Sequence, residues 1–153
     1  MWGKAMAGKT LNAKRRRHGG HAVVELALIG PWVFFLFAGT VDFGFYAHGL
    51  IVTEHAVRAA ALYTASSPDV AADAAGACVL VLDEMRGLPN VGAAVSDCDD
   101  TPVRLTAEAI TGPDGAPASR VAITYDAIPM IAIPGLTGRY QVRRVTEMRV
   151  RPE

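Results

Sequence analysis

Apolar residues in the first third of the chain run together before they begin to alternate with polar ones. From Ala22 to Val41, "AVVELALIGPWVFFLFAGTV", Glu25 is the single formally charged side chain. About 20 apolar residues are what a helix needs to cross a ~30 Å hydrocarbon core, so this stretch predicts a transmembrane helix. Beyond Asp42 the pattern changes to helical spacing: Val41, Phe45, Val52, Ala56, Ala59 and Tyr63 recur every three to four residues, with one longer step. Glu54 and Arg58 stand at i and i+4 in the favourable order. The two stretches together predict one helix from Ala22 to about Ser66, ~66 Å long, half in lipid and half projecting outward. Pro31 is expected to kink it, and Gly39, Gly44 and Gly49 to weaken it or admit close helix contacts. Their five-residue spacing is not a GxxxG pattern, so no dimer face is assigned.

Downstream, "SSPDVAADAAGACVLVLDEMRGLP" predicts a second helix. Ser67 suits its N-cap, Pro68 its first position and Asp69 its positive end. Val70, Ala74, Ala77, Val81 and Met85 form the apolar stripe, and Gly87 with Pro89 ends the helix. The remainder reads as strand. "PVRLTAEAI" places Val103, Leu105, Ala107 and Ala109 on one face, and "RVAITYDA" alternates through Val121, Ile123 and Tyr125. "TGPDGAPAS" between them is a turn cluster. "RYQVRRVTEMRV" puts Tyr140, Val142, Met148 and Val150 on one side but Arg144 among them, a conflict that a bulge or an exposed edge would resolve. The expected fold is α+β: a long N-terminal helix, a second helix and a small three-stranded antiparallel sheet that needs the helices for its core.

Charge adds a direction. Residues 1–20 carry six basic side chains (Lys4, Lys9, Lys14, Arg15, Arg16, Arg17) and no acid, whereas the rest carries nine arginines against fifteen acids, net −6. Basic residues flanking an apolar span are retained on the cytoplasmic side. The chain is therefore expected to sit in the cytoplasmic membrane as a single-pass protein, N-terminus inside and C-terminal domain outside. Next to an apolar run the basic block reads as topology rather than as a nucleic-acid contact, and no nucleic-acid partner is expected. Hydrophobic residues at 51% also exceed what a small soluble domain normally carries, which favours a membrane segment. A cleaved secretory signal would have a shorter core and a small-x-small site, which "LFAGTVDF" lacks.

A basic leader, then Gly20, then an apolar run with Glu25 at the fifth position after that glycine resembles the processing site of type IV pilin-like proteins. The fuller string "AVVELALIGPWVFFLFAGTVDFGF" resembles the TadE family, minor pseudopilins of tight-adherence (Flp-type) pilus assembly. Val24, Glu25, Ala27, Leu28, Pro31, Asp42, Phe43 and Gly44 fill the family's places, while Leu26 stands where an aromatic is usual. The resemblance covers about residues 19–65. It implies a partner, prepilin peptidase, cutting between Gly20 and His21 and leaving a free amine on His21. Gly at the cleaved position lets a helical backbone open into a protease site. It also implies that Glu25, one turn deeper, pairs with the amine of a neighbouring subunit, since an intramembrane carboxylate is costly without a partner. Other pilins, pseudopilins and pilus assembly membrane proteins would be its neighbours. On its residues alone, Glu25 has a plainer reading, snorkelling to water from the helix end. The layout expected is a cleaved leader (1–20), a transmembrane and projecting helix (21–66) and an extracytoplasmic α+β domain (67–153), with entry into the pilus and priming of its assembly both left open. The alternative is a single-pass protein with an uncut leader and an outer ligand- or partner-binding domain.

Reactive chemistry is sparse. Cys78 and Cys98 both fall on the outward side, where a disulfide closing about 20 residues would add ~3 kcal/mol. Their spacing fits neither a CxxC redox motif nor a zinc site. His48 and His55 are seven residues apart, without a third ligand, and "TEHAVRA" is not HExxH. "SDCDD" (Ser96 to Asp100) lacks the glycine and distal Glu of an EF-hand loop and reads as a solvated acidic loop. No catalytic residues, metal or cofactor are assigned, and the chain is read as no enzyme. "AIPMIAIPG", with Ile128, Met130, Ile131 and Ile133, either completes the core against the long helix or forms a docking surface.

Overall fold

The computed structural model describes residues 19–92, 95–131 and 140–151. It contains a helix α1 (Gly19–Thr64), a 3-10 turn (Pro68–Val70), a helix α2 (Ala74–Met85) and strands β1 (Val103–Thr111), β2 (Pro117–Ala127) and β3 (Tyr140–Arg149). The three strands form one antiparallel sheet in the order β1-β2-β3. This is the α+β arrangement that periodicity predicts. The chain divides into two compact units, Met1–Phe37 and Ala38–Glu153, with the division inside α1.

In the first unit, described from Gly19 onward, α1 continues without interruption through Pro31. Its large side chains face outward: Trp32 is 74% exposed, and Phe34, Phe35 and Phe37 are exposed with it. Almost none of the most apolar part of this helix is buried inside the protein, while its length and composition suffice to cross a membrane. A core helix of a soluble domain would hide these side chains; here a surrounding apolar medium is what their exposure suits.

In the second unit, the rest of α1 turns a strip of small residues inward. Gly49, Thr53, Ala56, Val57, Ala60, Ala61 and Thr64 are buried. This strip differs from the expected one: Phe45 is exposed, Val52, Ala59 and Tyr63 are only half-buried, and Ala56 alone is common to both. Close approach decides it. The small residues let β2 lie against the helix, and a Cβ added at Gly49 would stand 3.4 Å from the Tyr125 ring. The apolar core is completed by Val81 and Met85 of α2, Val103 and Leu105 of β1, and Val121, Ile123 and Tyr125 of the central strand β2.

α2 starts later than Ser67, Pro68 and Asp69 suggest. Ser67 makes no side-chain cap, and Pro68–Val70 forms only a 3-10 turn. Asp73 is the N-cap, its Oδ1 accepting the Gly76 amide at 3.0 Å. A carboxylate oxygen aimed at a free amide of the first turn outcompetes an uncapped start. From there the expected stripe of Ala77, Val81 and Met85 is buried.

Residues 112–116 join β1 to β2, with Gly112 N donating to Ala116 O at 2.8 Å and Gly115 at φ +80. Side chains other than glycine rarely adopt that conformation. Between β2 and β3 the register runs from Ala118↔Arg149 to Ala127↔Tyr140 with no extra residue, so the Arg144 conflict is not resolved by a bulge. It is resolved at the edge: among the described residues β3 pairs only with β2, and half-exposed Arg144 reaches Glu54 on α1. Cys78 of α2 is bonded to Cys98 in the segment before β1, as compartment and spacing predict.

Candidate functional site

Gly20, His21 and Glu25 lie on the first turns of α1, all exposed. His21 and Glu25 are one turn apart, ~6 Å along the helix axis. Among the described residues Glu25 has no ion-pair partner within the chain, and a methyl group at Gly20 would meet nothing within 4 Å. A helix end whose carboxylate is unpaired within its own chain and whose glycine is sterically idle can serve an external partner without disturbing its own fold.

The second unit carries a different set of polar contacts. Asp42, the first acid after the apolar run, accepts the Met130 amide at 2.7 Å and the Ile131 amide at 3.4 Å through the same oxygen, Oδ1. One turn further, the Tyr46 ring lies 5.4 Å from the Tyr140 ring. The apolar loop is described only through Ile131; Ile133 and the rest of "AIPMIAIPG" lie outside the described residues. Of the part described, Ile128 and Met130 are about half-exposed, at 47% and 49%, so they do not complete the core.

Sequence reasoning missed Asp42 as a loop anchor, and it missed the pair Tyr63–Asp73. The Tyr63 hydroxyl donates to Asp73 Oδ2 at 2.7 Å. The Gly76 amide, followed by the Tyr63 hydroxyl, holds the Asp73 carboxyl below the usual range, and the hydrogen bond to Asp73 raises the Tyr63 phenol. An Asp directly before an alanine-rich helical run is a recognisable N-cap signal, and it competes with Ser67 in the sequence. Tyr125, which burial raises, donates to Asn90 Oδ1 at 2.6 Å, and Asn90 Nδ2 donates to Asp126 O at 2.8 Å. These bonds position backbone; they do not converge on a reacting atom.

His48 and His55 are both exposed on α1. In the acidic loop, Asp100 is taken by Arg104 at 2.8 Å, which lowers its carboxyl. Among the described residues no three His, Cys, Asp or Glu side chains gather as a metal site would require.

A family model described as TadE-like protein matches residues 20–62, the greater part of α1. No curated protein matches the chain, and no solved structure matches it either. The matched helix, apolar and long enough to cross a membrane, supports a Tad pilus-related membrane protein.

Proposed function

We propose that this chain, TadE-like along its long helix, is a minor pseudopilin: a membrane-anchored structural component of tight-adherence pilus assembly that acts through contacts rather than catalysis. Prepilin peptidase cuts between Gly20 and His21 at the cytoplasmic face, and the domain after α1 lies outside. Removal of residues 1–20 takes away six basic side chains and leaves an α-amino group on His21. That amine, on a neighbouring subunit, is the counter-ion for Glu25. A carboxylate in lipid costs a few kcal/mol alone, so pairing favours the assembled state over the isolated chain.

The observation that carries the reading is the position of the family match, which begins at residue 20 and includes Glu25. The outward-facing apolar side chains of the first unit support it, as does the lack of an ion-pair partner for Glu25 among the described residues.

The test is co-expression with a prepilin peptidase. The chain is expected to shorten by the twenty residues before His21, and Gly20→Ala to slow that cut. Because a methyl at Gly20 touches nothing, slow cutting reports protease recognition and not misfolding. Glu25→Gln is expected to be cut normally and to lose co-purification with other pilus components. A leader retained in the presence of active peptidase overturns the reading.

A further inference from the structure

We propose that residues 128–131, directly after β2, are a second membrane contact, with Ile128 and Met130 entering the headgroup region of the bilayer that α1 crosses. The inference rests on the reading of α1 as a membrane span and adds to it an occupant for an exposed apolar surface.

The bonds to Asp42 fix the level of residues 130–131. The apolar run ends at Val41, and Asp42 marks where the helix leaves hydrocarbon. Met130 and Ile131 donate their amides to Asp42 Oδ1 at 2.7 and 3.4 Å, so the loop is tied to that turn of the helix. Asp42, the loop and Tyr140 all belong to the unit Ala38–Glu153. Phe43 is 69% exposed beside Asp42, and the Tyr46–Tyr140 pair stands about one turn, ~5–6 Å, further out. Amphipathic rings gather at that height because one end of each is apolar and the other wet.

The charge pattern allows insertion. Asp42 would lose hydration at the interface, and the two loop amides replace part of it. Asp126, near the end of β2 and two residues before Ile128, accepts from Gln141 Nε2 at 3.1 Å. Other exposed apolar side chains lie elsewhere: Leu62 is twenty residues past Asp42, ~30 Å along the helix and out of reach of lipid. Ile128 and Met130 thus stand at the level of Asp42, where lipid headgroups cover them without a partner protein.

Fluorescence quenching of the full chain reconstituted in phosphatidylethanolamine/phosphatidylglycerol vesicles tests this. Trp32, in a Trp2→Phe background, reports the span. Met130→Trp, and Thr106→Trp on the exposed face of β1 as a water-facing reference, are each placed in a Trp2→Phe, Trp32→Phe background. The expected result is strong quenching of Trp at 130 by lipids brominated near the top of the acyl chain, with iodide quenching several-fold weaker than at 106. Equal iodide quenching at 130 and 106, with Trp32 quenched by lipid, overturns the loop contact and leaves the span standing. Protection at 130 from both iodide and brominated lipid means protein covers the loop, and overturns it too. A Trp32 untouched by brominated lipid removes the span and the loop contact together.

Discussion

Arg144 Nε lies 3.3 Å from Glu54 Oε2, and the other oxygen of that carboxylate takes Arg58 at 3.0 Å. This relation lets a cationic residue occupy the helix-facing side of β3 between Val142 and Met148. Both partners keep about 40% of their side chains exposed, so the pair tolerates its position more than it drives folding. A double-mutant cycle with Glu54→Gln and Arg144→Gln is expected to give a coupling of about 0.5 kcal/mol, shrinking in high salt. Denaturant melts at low and high ionic strength measure it. A coupling of several kcal/mol, insensitive to salt, would mean the pair is far more buried than this.

Reduction of Cys78–Cys98 is expected to cost more. The bridge closes a 20-residue separation between α2 and the segment leading into β1, which for a loop of that length corresponds to about 3 kcal/mol. Both cysteines are buried, so the disulfide serves stability. Melting the Cys78→Ala, Cys98→Ala variant against wild type, with and without reductant, checks this: reductant should lower the wild type toward the variant and leave the variant unmoved.

Gly76 is required by its neighbours. A Cβ there would collide with the Tyr63 hydroxyl and stand 2.7 Å from Tyr63 Cζ. Gly76→Ala is therefore expected to lower stability by about 1–3 kcal/mol despite alanine's better helix propensity. A Cβ at Gly76 also stands 2.5 Å from Asp73 Oδ2, so in a Tyr63→Leu background the cost should shrink without vanishing, which paired melts will show.

The Tyr63–Asp73 bond also sets a pH window. Asp73 titrates below 3.8 in the folded chain, so its contribution is present above that value and lost as pH falls through the lowered one. Tyr63 titrates above 10.0, so its contribution is full below that value and lost as pH rises through the raised one. Tyr63→Phe is expected to melt lower than wild type across the range between, with the gap closing on the alkaline side. Melting temperatures of both proteins against pH decide it; a constant gap at every pH would contradict the bond's role.

Much of this architecture is legible in the residues. The apolar run, the α2 stripe of Ala77, Val81 and Met85, and the alternation of Val121, Ile123 and Tyr125 follow from periods of 3.6 and 2, which do not depend on partners. What is illegible depends on contacts made far along the chain. The buried strip of α1 is chosen by what β2 can approach, so Gly49 and Ala60 face inward while Phe45 does not. Ser67 and Asp73 are both credible caps, and the choice falls to Asp73 because Tyr63 and Gly76 meet it. Asp42 reads as the end of an apolar run; that it holds a loop from 88 residues away is written nowhere near it. Glu25 reads as an anomaly in the sequence, the one formal charge of the apolar run, and among the described residues the fold gives it no ion-pair partner.

The most direct test of the central claim is the N-terminal sequence of the protein isolated from its native host's membranes. Maturation at Gly20 predicts a chain beginning His-Ala-Val-Val-Glu. A chain that still begins in the basic leader, at Met1 or Met6, would contradict it.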